Sequence, residues 1–480
     1  MSKEILIERM PGQTRLAVLE DKRLCEMYCE RQTRKNLSGC LFVGRVHNIL
    51  PGMNAAFVDI GQKRNAYLSG DDLCVDSASA AEIHRKLSKS SVADRLRPGQ
   101  LIICQVTKEP GGNKGARITQ NIALPGRLCV FLPTIAFHGV SKKIENEAER
   151  NRLNALAEKL ISVHSCGLIL RTAAEQVSEE DISAEFTQQL SLWRDIQKIA
   201  TTAALPGEIY SNADLCLYAI RDLMREDVDQ IRTDSIAVYE RLKDYARSMT
   251  PGYLDKIVFY ETGTPLFDLK RIDHQFEEAF RHTVELKSGA TLVIDETEAM
   301  TVIDVNSARF VGKNDQQQTL FQTNMDAAQE IVRQIRLRDL GGIIIVDFID
   351  MNGSEHKNAL LNRLRELFLS DRNRTEVVGM TALGLVEITR KKVRPPVSRQ
   401  YTQGCRECGA SGRQYTAETW AYLALRELWR RRRSGDNTAY TVNIHSDAAA
   451  ILEELLSPEL GNVNVCADGH RPGYELSIRE

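Results

Sequence analysis

TVIDVNSARF at 301–310 and GGIIIVDFID at 341–350 bracket a long amphipathic segment, and the reading of these two runs decides the fold. Each is a short β-branched run that carries a carboxylate. Between them, Leu320, Asn324/Ala327, Ile331 and Ile335 recur at helical spacing. Strand, helix and strand in that order specify a βαβ crossover between Thr301 and Phe348, hence an α/β unit with two parallel strands. Asp304 and Asn306 stand two residues apart and share a face of the first strand, while Asp347 stands near the end of the second. Such a unit brings both strand ends to one edge, where α/β sheets bind ligands.

Two carboxylates and an amide converging at that edge have no lysine nearby in sequence to neutralise them. Like charges held this close are costly unless a cation sits between them. Oxygen-only ligands suit Mg²⁺ or Mn²⁺ better than zinc, and Mg²⁺ leaves positions free for water and phosphate. Phosphodiester hydrolysis is the chemistry that fits. Spacing alone leaves a second reading open, in which Asp304 caps a turn and Asp347 merely ends a strand. Asp295, Glu298 and Asp350 are close enough in sequence to compete for the same role.

Outward from this unit, ATLVIDE and the turn TEAM precede it, and GLVEITR followed by RKKVRPP closes it. At the other end of the chain, EILIE, TRLAVLED and LCEMYCE read as strands. CLFVGRVHNIL, AAFVDIG, NAYLS, QLIICQVTKE and ARITQNIAL then follow one another, punctuated by Gly and Pro, as in a small closed barrel of OB type. A polar segment at 75–97 interrupts them. In AAFVDIG the residues Ala56, Val58 and Ile60 form one face and Phe57 the other; in NAYLS Tyr67 opposes Ala66 and Leu68. Outward aromatics on an OB pattern, with Lys114 and Arg117 near a glycine loop, suit base stacking with phosphate contact. Ordinary strand packing is the plain alternative for either ring. Residues 126–214 place the charged helix NEAERNRLNALAEKLIS between GRLCVFLP and CGLILRT, with a second helix after them.

The chain has 480 residues, enough for about three domains, and its 63 Lys+Arg against 65 Asp+Glu exclude a uniformly basic coat for nucleic acid. Basic residues cluster instead at Lys142–Lys143, Arg390–Arg394 and Arg430–Arg433. The N-terminus lacks the apolar run of a signal peptide, and no apolar run reaches a membrane-spanning length. A cytoplasmic protein without a membrane association is expected. Most of the 11 cysteines are scattered singly and read as buried hydrophobes. Cys405 and Cys408 alone form a CxxC, half of a zinc site. Either a second copy of the chain completes a Cys₄ site or the pair is redox-active, and the strand-to-helix context of a redox CxxC is absent.

TVIDVNSARF, RQIRLRDLGGIIIVDFIDM, the NRLRE helix, GLVEITRKKVRP and the late CxxC, in that order, resemble the ribonuclease E/G family, as does GRVHNILPGMNAAFVDIG near the N-terminus. The resemblance covers nearly the whole chain and is closer to the family's short form, with no degradosome-scaffold tail expected. It implies an α/β multidomain protein. An OB-fold barrel (37–125) and a 5′-phosphate sensor (126–214) would be inserted in an RNase H-like subdomain (1–36 and 215–278). A DNase I-like catalytic domain (279–400), a zinc link (401–415) and a small C-terminal domain (416–480) would follow.

The resemblance further implies a Mg²⁺-dependent endoribonuclease that cuts single-stranded RNA, ribosomal RNA precursors and mRNA among its substrates. It would leave 5′-phosphate and 3′-hydroxyl ends. Asp304 and Asp347 match the metal-binding aspartates and Asn306 the residue that orients them. Phe57, Tyr67 and Lys114 match RNA-contact positions, Tyr67 standing where Phe is commoner. Arg171 and Thr172, with Gly126 and Val130, match the sensor of a 5′-monophosphate, and an arginine fork beside a hydroxyl is what phosphate capture requires. Cys405 and Cys408 match a structural Zn²⁺ link shared between protomers, which implies a homodimer and leaves association of two dimers open. Here the link reads CRECGASG, departing from the family's Pro after the first cysteine. A non-catalytic RNA-binding or ribosome-assembly factor is the rival reading, and a zinc-stapled structural oligomer the second.

Overall fold

The computed structural model describes residues 2–31, 36–74, 91–110, 114–203, 205–211, 214–261, 263–307, 316–351, 353–403, 416–436, 438–457, 460, 462–468 and 474–478. They divide into two units, Met1–Val397 and Ser398–Glu480. In the first, Lys3–Met10, Gln13–Glu20 and Arg23–Arg31 form an antiparallel meander. Asp21 and Lys22 both adopt positive φ, 48° and 66°, which is the two-residue hairpin geometry that matches strand twist. Gln230–Thr233 joins Lys3–Met10 in parallel, and Ile257–Phe259 extends the same sheet. Two segments far apart in sequence are thereby tied together, with the barrel lying between them in the chain.

The barrel is closed by five strands, Leu41–Leu50, Ala55–Asp59, Ala66–Ser69, Arg117–Thr119 and Leu101–Lys108, the last returning to pair with the first. Alternation drives it: Val46, Ala56, Val58, Ala66, Leu68, Cys104 and Ile118 fill the interior. Gly115 passes so close to Asn65 that a Cβ would lie 2.0 Å from its carbonyl oxygen. A four-stranded sheet follows, in the order His138–Val140, Gly167–Leu170, Cys129–Leu132 and Leu124–Pro125, covered by the helices Glu147–Ile161 and Glu179–Thr202. Gly207–Tyr210 then pairs with Leu41–Leu50 at the barrel, which hydrophobic patterning did not foresee.

The last sheet of this unit has the order Thr283–Glu285, Thr291–Glu296, Met300–Asn306, Gly342–Asp347, Val386–Arg390 and Thr375–Met380. Its one parallel pair is Met300–Asn306 with Gly342–Asp347, joined through the helix Gln316–Leu337, the crossover expected from the sequence. That helix and Ser354–Phe368 bury Ile303, Val305, Ile344 and Val346 on one face with Ile331, Ile335, Leu360 and Leu364. The opposite face leaves Val302 and Ile343 exposed.

The same helix lies against the strand Arg23–Arg31, and residues 331–340 are buried throughout. Two of its arginines are held by carboxylates of the first sheet, of the turn at Glu278 and of the helix itself. Arg336 grips Glu20 and Glu26 at 2.8 and 2.7 Å, Arg333 bonds Glu330 at 2.7 Å and Glu278, and Asp339 receives Arg390 and Arg394 at 2.9 and 2.8 Å. The Arg390–Arg394 run, expected to form a basic patch, therefore points two of its charges inward; Lys391 and Lys392 remain exposed.

In the second unit, Tyr440–His445 lies between Val463–Asp468, parallel, and Tyr474–Ile478, antiparallel, with the helices Ala417–Arg433 and Ser446–Leu455 closing its core. Among the described residues, no helix is long and apolar enough to cross a membrane.

Candidate active site

The register of the parallel pair sets Asp304 directly beside Asp347. Adjacent strands are about 4.8 Å apart, so both side chains leave the open face as neighbours. Asp304 is half-buried and Asp347 exposed. Asn306 donates from Nδ2 to Asp304 Oδ2 at 2.7 Å, which fixes one carboxylate oxygen and leaves the other free. At about 5 Å the two charges repel by up to about 3 kcal/mol in a surface-like dielectric. Among the described residues neither has an ion-pair partner. The competing acids are elsewhere engaged or placed: Asp295, on the same face opposite Val302, has His282 Nε2 2.7 Å from its Oδ1, and Asp350 stands exposed beyond the strand.

Asn324 was missed as a site residue and read only as part of the apolar stripe. It is fully buried in the crossover helix and clamps the backbone just past Asp347, donating to Ile349 O at 2.7 Å and accepting from Ile349 N at 3.1 Å. A polar residue in a core stripe was the available signal.

On the barrel, Phe57 and Tyr67 are cross-strand partners with ring centroids 6.1 Å apart at 68°. Pairing extends the row to Asn48 on one side and to Arg117 and Lys108 on the other. Both rings are half-buried, flanked by exposed polar and cationic residues, and Lys114 is exposed three residues before Arg117. Arg117 is tethered to Asp72 at 2.8 Å.

In the 124–170 sheet, Arg171 donates to Gly126 O and pairs with Asp222 at 2.8 Å. Thr172 Oγ1 lies 2.9 Å from Ser141 Oγ, and Val130 is half-buried opposite Ile169. Gly126, Arg171 and Thr172 are therefore brought together. Asp222 and Ser141 were not foreseen, because their partners are distant in sequence. Glu185 explains the glycine: its carboxylate accepts from Leu128 N and Cys129 N, and a Cβ on Gly126 would lie 2.2 Å from its Oε1. Burial raises the Glu185 pKa, with those amides acting against the rise. Cys405 and Cys408 lie outside the described residues. Among the described residues no cluster of three or more His, Cys, Asp or Glu side chains is placed to hold a metal.

A mixed α/β sheet with paired strand-end carboxylates, in the same unit as a closed barrel that carries two outward aromatics, suits a nucleic-acid-processing class of protein, and comparison with known proteins agrees. The model of the "Ribonuclease E/G family" matches residues 123–393. Ribonuclease G of Escherichia coli K12 is 36% identical over 466 residues, 97% of this chain and 95% of that protein. Ribonuclease G of Haemophilus influenzae is 40% identical over 430 residues, 89% of this chain and 87% of its own. Ribonuclease E of E. coli K12 is 33% identical over 428 residues, covering 89% of this chain and 40% of that protein. The chain belongs to the ribonuclease E/G family and is similar to its ribonuclease G members.

Proposed function

We propose that this protein is an endoribonuclease that hydrolyses single-stranded RNA to 5′-phosphate and 3′-hydroxyl ends. Its centre is Asp304 and Asp347 with Mg²⁺, and it acts in ribosomal RNA processing and mRNA decay in the cytoplasm. The observation that carries the proposal is the register that sets Asp304 beside Asp347 with no cation paired to either among the described residues. The donor set fits the ion: oxygen only, two carboxylates, and room on an open face for water and a phosphate. When bound, Mg²⁺ supplies an activated water and neutralises charge on the scissile phosphate.

The chain's own residues do the rest. Asp304 and Asp347 hold the ion, and Asn306 keeps Asp304 Oδ2 occupied, which leaves Oδ1 for the ion. Asn324 fixes the backbone that follows Asp347. Phe57 and Tyr67 offer faces and edges on which unpaired bases stack, and Lys108, Lys114 and Arg117 follow the backbone. Arg171, Thr172 and Gly126 capture a 5′-monophosphate, Arg171 exchanging part of its hold on Asp222 for the phosphate. Cys405 and Cys408 are proposed as half of a Zn²⁺ site completed by a second copy.

The test is cleavage of a short single-stranded RNA with mapped ends. Asp304→Asn and Asp347→Asn are each expected to lower the rate by about 10³-fold or more while RNA still binds, since each removes a charge that holds the ion. Mg²⁺-dependent cleavage retained by both variants would refute the site.

A further inference from the structure

The helix Glu179–Thr202 carries a glutamate on its buried side. Glu185 is 9% exposed, and among the described residues no cation forms an ion pair with it. The partners of its carboxylate all lie on one turn. Oε1 accepts from Leu128 N at 2.9 Å, from Cys129 N at 3.1 Å and from the Cys129 thiol at 3.5 Å, and Oε2 lies 3.1 Å from Leu128 N. Gly126 N closes that turn by donating to Cys129 O at 2.8 Å. A carboxylate buried among neutral donors is costly to keep charged. Burial accordingly pushes the Glu185 pKa up, and the two amides and the thiol oppose the rise.

Cys129 N and Leu128 O belong to the same peptide group. A trans peptide is planar and points its N–H and C=O in opposite directions. Its N–H rests on Glu185, and its C=O accepts from Arg171 N at 2.8 Å. Glu185 and the Arg171 main chain therefore hold one rigid group from opposite sides. The Arg171 side chain returns to the same turn: Nη1 donates to Gly126 O, while Nη2 reaches Asp222 Oδ1 at 2.8 Å. With a Cβ at Gly126 placed 2.2 Å from Glu185 Oε1, the turn sits directly on the carboxylate. Both the backbone and the guanidinium of Arg171 thus take their place from a turn whose inner edge is Glu185. A group that must meet a phosphate in two planar hydrogen bonds tolerates little displacement.

We propose that Glu185 is a positioning residue of the 5′-monophosphate site, setting the Arg171 guanidinium through the peptide that joins Leu128 to Cys129. This role rests on the reading of Arg171 as the residue that captures the phosphate. Glu185 itself stands behind the turn.

Cleavage of one single-stranded RNA, bearing either a 5′-monophosphate or a 5′-hydroxyl, tests it in the full chain. The variants are Arg171→Ala, Glu185→Gln and the two combined. Glu185→Gln removes the charge and sets an amide donor against the Leu128 N–H. It is expected to lower the preference for the monophosphate at least threefold, through a raised KM for that RNA with kcat kept. Both constants for the 5′-hydroxyl RNA should stay within twofold of the parent, whereas a smaller folded fraction would lower kcat on both RNAs. In the Arg171→Ala background, Glu185→Gln should change the preference no further. If Glu185→Gln does not fold, Glu185→Asp, whose carboxylate is retracted by one methylene, should still lower the preference at least twofold. A parent-like preference in the folded Glu185 variant, beside a reduced one in Arg171→Ala, would overturn the role of Glu185 and leave the sensor standing. A double variant well below Arg171→Ala alone would also overturn it, since Glu185 would then act by another route. An unchanged preference in Arg171→Ala would overturn the sensor and this role together.

Discussion

Arg336→Met is the sharpest probe of how the sheet bearing Asp304 and Asp347 is anchored. The Arg336 side chain is 3% exposed and spans Glu20 and Glu26 with contacts of 2.7–2.9 Å. Methionine fills most of the volume but leaves both carboxylates. Among the described residues Glu20 keeps only Lys3, at 3.8 Å, and Glu26 keeps the Tyr28 hydroxyl and Arg372 at 3.9 Å. Removing one partner of a buried pair costs about 3–5 kcal/mol, because the charge left behind is uncompensated. The chain has more than one unit, so a single unfolding free energy is the wrong measure. Hydrogen exchange of peptides covering Arg23–Arg31 and 331–340 reports the local opening. At pH 7, protection there should fall by roughly two to three and a half powers of ten, the same 3–5 kcal/mol at 1.4 kcal/mol per decade.

The pH dependence fixes the cause. In the parent, burial acts to raise the Glu26 pKa, but Arg372 and Arg336 overcome it and hold the carboxyl far below the usual range. A depressed pKa contributes stability that is present above the unfolded value, about 4.3, and lost below it as pH falls toward the folded value. With Arg336 gone, Arg372 and the Tyr28 hydroxyl still oppose burial, so the Glu26 pKa rises toward the unfolded value and the variant loses less stability than the parent on acidification. The gap between the two proteins should therefore hold from pH 7 to about pH 5 and narrow below about 4.3, by at most about 1.4 kcal/mol per unit. A deficit below about 1 kcal/mol at pH 7, or one equal at about pH 7 and about pH 3 after correction for intrinsic exchange, would refute the reasoning.

Three further outcomes are expected. Arg171→Ala should reduce the preference for 5′-monophosphorylated over 5′-hydroxyl RNA by roughly tenfold, the worth of a charge-assisted contact, in competition cleavage assays; an unchanged ratio counts against the sensor. Phe57→Ala and Tyr67→Ala should each weaken single-stranded RNA by about 1–3 kcal/mol in fluorescence anisotropy, with duplex affinity little altered. Asn324→Ala should strip both partners from the Ile349 backbone, at about 1–3 kcal/mol, and raise hydrogen exchange around residues 348–351 without unfolding the helix.

How much was legible in the sequence follows the range of the interactions. TVIDVN and IIIVD announce strands because their β-branched residues alternate or run apolar, and the stripe between them has helical period, so Asp304 and Asp347 fell into place by local rules alone. Phe57 and Tyr67 were legible for the same reason: one residue out of phase with Ala56, Val58, Ala66 and Leu68 puts them outside. RQIRLRDL was recognisable as a stretch but not as a buried one. Charged residues on a helix imply solvent, and here Glu20, Glu26 and Glu278, remote in sequence, replace it. The Arg171–Asp222 pair and the return of Gly207–Tyr210 to the barrel are long-range in the same way. The open face was not foreseen either, since patterning tells which side of a strand is buried but not whether helices cover both.

Those inward arginines also change what the overall charge means. Lys+Arg and Asp+Glu nearly balance, 63 against 65, and a linear reading takes basic runs as surface patches. Arg390 and Arg394 neutralise Asp371 and Asp339 inside the fold. In the second unit, Arg431 is shared between Glu427 and Tyr440, and Arg432 donates to the Leu460 and Asp436 carbonyls. Each buried pair removes one cation and one anion from the surface together, so the net charge is unchanged while the cations available to RNA become fewer and more localised. In the row of Phe57 and Tyr67 stand Lys108 and Arg117, the latter held by Asp72, with Lys114 three residues before it; Arg45, Lys63 and Arg64 are exposed elsewhere on or between the barrel strands, and Lys142 and Lys143 beside Ser141. Since salt sensitivity counts only cations that displace counterions from the strand, the proposed RNA contact would combine these cations with stacking. Stacking demands an unpaired strand, because stacked bases inside a duplex offer no free face to Phe57 or Tyr67. On the proposed reading, selectivity for single strands follows from where the aromatics are, and the inward arginines supply no further phosphate contacts that would hold a duplex.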